Sequence, residues 1–411
     1  MLRLKNKKVE PGISRAFFWQ KDSAICYLGR KVTSPLVVRL LSDIENCFDF
    51  ELRARLLAEL ACYWARTGEF NKSEKIRQDL RRQFDDGHSL CVSVLIMCIE
   101  SLQLYYKDLS LSARDRMARA SLLSKAAKDL KLISLTSAWL AHIDFNQSRF
   151  ASMAKEIDSC LKAIESDDGA AACRVSLVLG DAFLFAGNNL ASQVWYERAR
   201  RLAVRIGDQA SIGALNYKRA ALRVASARFA GLTQVHSIDC IAMIALEVRS
   251  AINYQAIAQI KSLDYLLDTA NIGALILQKK FEEARVAIVR TLKKPELETS
   301  SSQRAMLSAN LAFVLAHCAI FEEAQRELTD ALEEKILAFS ADDRAVCFSY
   351  ASEAAKLCGD GAKAHHFAQL ACIAIAEHSE MLLEIQNCLV NFESVSIEFE
   401  TLFFSRISSG S

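Results

Sequence analysis

The sequence predicts an all-α protein built as a solenoid of about eight helical hairpins. With three prolines and fourteen glycines in 411 residues, the chain has too few turn formers for a sheet-rich fold. Its composition, 52% hydrophobic and 24% charged, is that of a folded protein. Small residues and phenylalanines recur with a period of about forty residues, which indicates a repeat architecture.

The segment at 57–80, LAELACYWARTGEFNKSEKIRQDL, shows the repeating unit. Its first helix carries Leu60 and Trp64 on one face, a turn follows at Gly68, and a second helix places Ile76 inward. The apolar residues follow the 3.6-residue period of a helix on both sides of the turn. The segment is therefore predicted to form a helical hairpin.

Seven further segments align with this hairpin on the turn at Gly68. Successive turns are spaced by 39, 41, 39, 40, 52, 40 and 40 residues and are predicted at Lys107, Ser148, Gly187, Ala227, Lys279, Ala319 and Gly359. Six of the eight residues that stand seven positions before the turn are small, with Glu100 and Ile272 as the exceptions. The twelve extra residues after Ala227 predict a longer helix or an irregular insertion near 230–265.

This pattern resembles the tetratricopeptide repeat over about residues 50–380. The resemblance is clearest in GNNLASQVWYERARRLAVRIGD at 187–208, KKFEEARVAI at 279–288 and IFEEAQRELTDAL at 320–332. The period and the closing Ile206-Gly207-Asp208 are similar to the roughly forty-residue variant of bacterial regulators and sensor modules. The resemblance implies a right-handed superhelix, with the first helices on the concave wall and the second helices on the convex wall.

Two terminal segments lie outside the repeat register. Residues 1–48 are expected to form an N-terminal cap or arm, and residues 49–380 the solenoid. Residues 381–411 are expected to form a C-terminal capping helix and tail, since four phenylalanines that can cover the last repeat occur close together there, namely Phe392, Phe399, Phe403 and Phe404.

The sequence contains no motif that carries a recognisable chemistry. It lacks a phosphate-binding glycine loop, closely spaced Cys or His residues and a nucleophile elbow, so we expect no cofactor, no metal and no enzymatic activity. The thirteen cysteines lie mostly on helix-like segments and indicate a reducing compartment. The start, MLRLKNKKVEPG, has no signal-peptide core, and no long apolar run follows, so we expect a cytoplasmic protein without a membrane segment.

The repeat register predicts which residues face the concave groove, where proteins of the resembled family bind partners. These residues are Arg55, Cys62, Arg66, His142, Asn146, Arg174, Asp181, Tyr217, Glu353 and Lys356. Arginine binds carboxylates through paired hydrogen bonds, so Arg55, Arg66 and Arg174 are candidates for binding an acidic partner segment. The alternative is that each is a solvated groove residue without a ligand.

Charge is distributed unevenly along the chain. Residues 1–300 carry 44 Lys and Arg against 33 Asp and Glu, a balance of +11, whereas residues 301–411 carry 7 against 16, a balance of −9. This polarity allows copies to associate end to end, although uneven solvated faces explain it equally.

Three functions are consistent with these features. We expect a scaffold or adaptor that holds a protein or peptide without catalysis. The first alternative is a ligand- or peptide-responsive regulator, and the second is a nucleic-acid-associated factor that uses the basic N-terminal half. Nucleic-acid binding is disfavoured, because acidic residues interrupt the basic helix near 72–82 and no helix-turn-helix signature precedes the repeats.

Overall fold

A computed structural model describes residues 34–84, 89–297, 301–329, 331–392 and 395–404 of the chain. In this part of the chain all regular elements are helices and no strand occurs. Most of the predicted N-terminal cap or arm, residues 1–33, lies outside the described residues, and so does the end of the predicted C-terminal tail, residues 405–411.

The described residues form nineteen α-helices, which confirms the predicted all-α solenoid. The helices are α1 (Pro35–Asn46), α2 (Phe50–Thr67), α3 (Phe70–Phe84), α4 (Leu90–Asp108), α5 (Ser112–Ala127), α6 (Leu130–Asn146), α7 (Phe150–Ala163), α8 (Gly169–Phe185), α9 (Asn189–Ile206), α10 (Gln209–Ala230), α11 (Ile238–Ile257), α12 (Asp264–Leu277), α13 (Phe281–Leu292), α14 (Ser301–His317), α15 (Phe321–Glu327), α16 (Ala331–Ile336), α17 (Ala341–Leu357), α18 (Gly361–Leu389) and α19 (Val395–Phe404). Short 3₁₀ segments lie at Pro295–Leu297 and Val390–Phe392. The boundary predicted at residue 380 falls within α18, which is continuous to Leu389.

Six of the eight predicted turns contain a left-handed residue at the predicted position. These residues are Gly68, Ser148, Gly187, Lys279, Ala319 and Gly359. In the second hairpin the left-handed residue is Leu109 rather than Lys107. In the fifth hairpin the turn predicted at Ala227 was wrong, because α10 continues to Ala230 through an alanine-rich sequence that favours helix.

The helices of a hairpin approach closely at the small residues of the register. A Cβ added to Gly180 would lie 2.6 Å from the ring of Tyr196, so only glycine fits there. Ser192 Oγ donates to the carbonyl of Gly180 at 2.9 Å across the same hairpin. The equivalent bond in the second hairpin joins Ser101 Oγ to Ala113 at 2.6 Å, so the small position there is Ser101 and not Glu100.

The N-terminal part of the solenoid forms a closed superhelical turn, in which the first hairpin contacts the start of α10 and the loop before α12. The first helices α2, α4, α6, α8, α10 and α12 pack in succession, and α10 also contacts α2 and α17. Arg66 at the end of α2 forms a buried ion pair with Asp208, the N-cap of α10, at 2.8 Å. The amide of Lys261, in the loop before α12, donates to Thr67 O at 3.0 Å. These contacts join the first hairpin to segments about 140 and 200 residues further along the chain.

The first helix of the described chain, α1, and its last two helices, α18 and α19, pack against this closed superhelical turn. The N-terminus of α1 lies at the turn between α9 and α10, where the amide of Leu36 donates to Gly207 O at 3.2 Å. The long helix α18 packs against α7 and α8, and α19 packs against α9 through Phe399 and Trp195. Glu400 on α19 accepts from Arg198 at 2.9 Å.

Of the helices in the described ranges, α4 alone is long and apolar enough to cross a membrane by length and composition. Its apolar window is 56% buried within the protein, and core helices of soluble proteins meet the same criterion.

The Arg66–Asp208 pair yields a stability prediction. Asp208→Asn removes the charge that compensates a buried guanidinium, so we expect a loss of about 3–5 kcal/mol in the free energy of unfolding. Chemical denaturation measures this loss. Asp158→Asn, which breaks the exposed pair with Lys162 on α7, is the matched control and is expected to cost about 0.3–0.5 kcal/mol. Equal losses in the two variants would contradict a closing role for Asp208.

The same pair determines a dependence on pH. Burial by itself raises the pKa of Asp208. The charge of Arg66 and the hydrogen bonds that Arg66 and Ser211 donate outweigh this effect, so the pKa lies below its ordinary value of 3.8. A depressed folded-state pKa stabilises the fold above the unfolded-state pKa, and this stabilisation is lost as the pH falls through the folded-state pKa. The free energy of unfolding of wild type is therefore expected to exceed that of Asp208→Asn at neutral pH, and this difference is expected to disappear below about pH 4.

Candidate ligand-binding cavities

Two adjoining cavities lie along the inner face of α10. Cavity A, of about 270 Å³, lies between the ends of α2, α4 and α6 and the first half of α10. Cavity B, of about 670 Å³, continues along the second half of α10 towards α14, α17 and α18. The two cavities adjoin and share wall residues, namely Asn146, Gln147, Tyr217, Lys218 and Leu266.

Aromatic side chains form the wall of cavity A opposite α10. The ring of His142 lies 5.4 Å from that of Tyr105 and 5.6 Å from that of Trp139, with both pairs edge to face. Burial, together with the charges of Arg174 and Lys218, lowers the pKa of His142 well below its usual value, so the ring is neutral. His142 therefore adds no charge to this aromatic wall at neutral pH.

Lys218 is the cation at the junction of the two cavities. Its ammonium group hydrogen-bonds to Asn146 Oδ1. Burial lowers the pKa of Lys218, while the carboxylate of Asp181 counteracts the shift and the charge of Arg174 adds to it. Lys218 is thus a donor, held by one amide, that points into a mostly apolar space.

Cavity B has an acidic end at the start of α17. Asp342 and Asp343 line it, and Oδ1 of Asp342 is buried without a hydrogen bond among the described residues. Burial, followed by repulsion from Asp342, raises the pKa of Asp343 to about 7. Arg228 lies on the opposite wall, where it donates to Asn310 Oδ1 at 2.6 Å. The combined lining therefore places Lys218 at its middle and, at its far end, the carboxyl groups of Asp342 and Asp343 together with Arg228 and Arg344.

Cavity C, of about 300 Å³, lies on the other side of Arg66, between α2, α6, α8 and the turn that precedes α10. Arg66 lines both cavity A and cavity C. Burial raises the pKa of Cys62, which lines cavity C, to about 12, so this thiol stays protonated.

The structure brings together most of the residues predicted for the groove. Arg55, Cys62, Arg66 and Arg174 line cavity C; His142, Asn146 and Tyr217 line cavity A. Asp181 is buried behind the cavities, where the hydroxyl of Tyr196 donates to its Oδ1 at 2.7 Å. Glu353 and Lys356 lie outside these cavities and are exposed; Glu353 pairs with His317 at 3.0 Å.

Two of the three arginines proposed to bind an acidic partner are already paired within the chain. Arg55 pairs with Asp129, and Arg66 pairs with Asp208. Sequence reasoning missed these partners, as it missed Lys218 and the two aspartates of α17. Lys218 directly follows Tyr217 in the sequence. The repeat register assigned only one face of each helix to the groove, and Lys218 was not on that face.

The described residues contain no group of three or more His, Cys, Asp or Glu side chains that could hold a metal ion. All twelve described cysteines are free thiols.

Comparison with solved structures gives the class of fold. The structure is similar to the crystal structure of a Rap protein complexed with competence and sporulation factor, with a TM-score of 0.52 and 10% sequence identity. The alignment covers 80% of this chain and 99% of that chain. At this identity the likeness shows the fold alone, that of a helical repeat protein. No protein-family model and no curated protein matches the chain.

The raised pKa of the buried Asp181 carboxyl group can be tested through its effect on stability. Burial raises its pKa to about 6, against the opposing effects of Lys218, Tyr196 and Arg174. Because the folded state binds this proton more tightly than the unfolded state, the free energy of unfolding falls as the pH rises from about 4 to 6. Asp181→Asn keeps an acceptor for Tyr196 and is expected to raise stability at pH 7 by up to about 3 kcal/mol.

Denaturant titrations at pH 4.5 and pH 7 measure this gain. Asp239→Asn, at an exposed position on α11, is the control and is expected to change stability little at either pH. A lower stability of Asp181→Asn at pH 7 would show instead that Lys218 and Arg174 neutralise the carboxylate.

Proposed function

We propose that the protein is a non-catalytic, peptide-responsive regulator that binds a short peptide across the adjoining cavities A and B. The observation that carries this proposal is a cavity of suitable size along α10, enclosed by a closed turn of the solenoid. Its lining combines aromatic and aliphatic walls with polar and charged groups, Lys218, Asn146 and Asp342 among them, which can orient a peptide.

The length of the cavity limits the ligand. Residues of α10 from Ala210 to Arg228 line cavities A and B, a distance of about 27 Å at the helical rise. An extended chain covers about 3.3–3.6 Å per residue, so a peptide of about eight residues spans this distance. Lys218 and the carboxylates of α17 offer charged contacts at its middle and at one end.

The closing contacts favour a responsive regulator over an open adaptor. A groove that holds a folded partner protein must be open, whereas here Arg66, Thr67 and Gly68 of the first hairpin meet Asp208 and the loop before α12. A ligand that binds the closed form better than an open form shifts the population between the two. The neighbouring Rap structure, with its bound competence and sporulation factor, and the tetratricopeptide-like register support this proposal.

A peptide selection tests the proposal. Random octapeptides displayed on phage are selected against the full-length protein, and the affinity of enriched sequences is measured by fluorescence polarisation. Ala214→Phe fills cavity A and Ala221→Phe fills cavity B, and each is expected to weaken binding at least roughly tenfold, about 1.4 kcal/mol. Ala242→Phe, at an exposed position on α11, is the matched control and is expected to bind as wild type.

Circular dichroism melts show which variants are folded, and only folded variants enter the comparison. Absence of any enriched peptide, or equal binding by wild type and both folded cavity variants, would contradict the proposal.

A further inference from the structure

One face of α9 carries an aromatic and basic stripe that α19 covers. The members of this α9 stripe stand three or four residues apart, which places them on one side of the helix. They are Trp195, Arg198, Arg201 and Arg205. Trp195 is only 1% exposed, and its ring centroid lies 5.3 Å from that of Phe399 on α19. The buried phenylalanines of α19 belong to the same apolar cluster as Trp195; they are Phe399, Phe403 and Phe404.

A single carboxylate of α19 binds two arginines of the α9 stripe. Arg198 Nε donates to one oxygen of Glu400 and Arg201 Nη1 donates to the other, each at 2.9 Å. Burial raises the pKa of Glu400, but the hydrogen bonds and charges of the two arginines outweigh this effect and hold the pKa below its usual range. Glu400 is therefore ionised at neutral pH, and the contact joins full charges.

The last turn of α19 contacts the remainder of the α9 stripe. Arg205 Nη1 donates to the carbonyl oxygen of Phe403 at 3.0 Å, and the guanidinium of Arg201 lies 3.7 Å from the ring centroid of Phe404. The carbonyl groups of a last helical turn lack partners within the helix, and a cation near them is favourable. The α9 stripe thus binds an apolar face, a carboxylate and a helix C-terminus.

The two segments in contact have opposite charge. Helix α9 carries four arginines and one glutamate, whereas residues 391–404 carry three glutamates and no lysine or arginine. These segments contribute to the uneven distribution of charge along the chain, +11 for residues 1–300 and −9 for residues 301–411. The contact between α9 and α19 is therefore one place where the basic and the acidic parts of the chain meet.

Release of α19 from α9 would expose two complementary surfaces at once. Trp195 and the phenylalanines of α19 would then lie in water, beside the unpaired charges of Arg198 and Glu400. Apolar patches with a charged border are typical of protein interfaces. Each copy of the chain carries both surfaces, so two copies can satisfy them reciprocally by exchanging an identical element.

We propose that the α9 stripe and α19 form a latent interface between two copies of this chain. In the dimer, α19 of each copy docks on α9 of the other copy and makes there the contacts that it makes within one chain. A tethered segment reaches its own site at an effective concentration of about millimolar. Wild type is therefore expected to be mainly monomeric at micromolar concentration and to dimerise as the protein concentration rises.

Two charge reversals in the full chain test this interface. Arg201→Glu places a carboxylate beside Glu400, and Glu400→Arg places a guanidinium beside Arg198 and Arg201. Each reversal weakens the contact within one chain and equally between identical copies. In an equimolar mixture, however, the unchanged α19 of the Arg201→Glu chain meets an unchanged α9 stripe on the Glu400→Arg chain.

Size-exclusion chromatography with light scattering measures the mass of each species. At micromolar concentration we expect a dimer in the mixture, with an association at least roughly tenfold tighter than that of either variant alone, because like charges face each other in both homodimers. Both substitutions together in one chain bring opposite charges back within that chain and are expected to return mainly monomer.

The matched controls are Arg200→Glu and Glu398→Arg, which reverse exposed charges on the same two helices. The mixture of these two controls is expected to stay monomeric at the same concentration, because the contact of α19 with its own α9 remains intact.

A labelled peptide of residues 391–404 measures the same contact without a second chain. It is expected to bind Glu400→Arg, whose own α19 is displaced, at least roughly tenfold more tightly than it binds wild type. Circular dichroism melts show which variants are folded, and Glu400→Gln replaces Glu400→Arg in both measurements if the latter is unfolded.

Three results would overturn the proposal. The first is a mixture of the two folded variants that stays monomeric. The second is a peptide that binds the Glu400 variant no more tightly than wild type. The third is an equal fraction of dimer in the test mixture and the control mixture, which would place the interface elsewhere. None of these results depends on whether a peptide binds cavities A and B.

Discussion

The buried ion pair between Arg66 and Asp208 is the contact on which the closed form of the solenoid depends. Neither charge can remain alone in the interior without a large penalty, so the end of α2 and the start of α10 must meet. Two further contacts lie within a turn of Arg66, where Lys261 N–H donates to Thr67 O and Ser262 Oγ donates to Arg66 O. A Cβ on Gly68 would come within 2.8 Å of Ser262 N, so this close approach also requires glycine.

Helix α10 connects this closure to the cavities. Asp208 fixes its N-terminus against the first hairpin, and Arg228 near its C-terminus donates to Asn310 on α14. The inner face between these two points carries Tyr217 and Lys218, two of the five residues that cavities A and B share. A ligand between them contacts elements from both halves of the chain, which is how occupancy of the cavity can be coupled to the shape of the whole solenoid.

The sequence predicted the parts of the structure that depend on neighbouring residues. Small residues at fixed distances from Gly68, Gly187 and Gly359 located hairpins, because close helix packing and a left-handed turn each demand particular side chains. The predicted turn positions were wrong in the second hairpin, where the left-handed residue is Leu109, and in the fifth, where α10 continues past Ala227. In both hairpins close packing and turn geometry constrain the side chains less. The contacts that close the solenoid join residues 142 and 196 positions apart. A pattern that repeats every forty residues carries no information about such distant pairs. For this reason Arg66 was predicted as a groove residue but not as half of an ion pair.

Hydrogen exchange at two backbone amides tests the closed turn most directly. The amides of Lys261 and Leu36 bond to Thr67 O and Gly207 O, across the closure and outside any helix ladder. In residue-resolved native-state exchange we expect both to be protected in the free protein, and to open together at a lower free energy than amides in the middle of α2 and α10. Exchange of both at the rate of an unstructured peptide, with α2 and α10 still protected, would contradict the account.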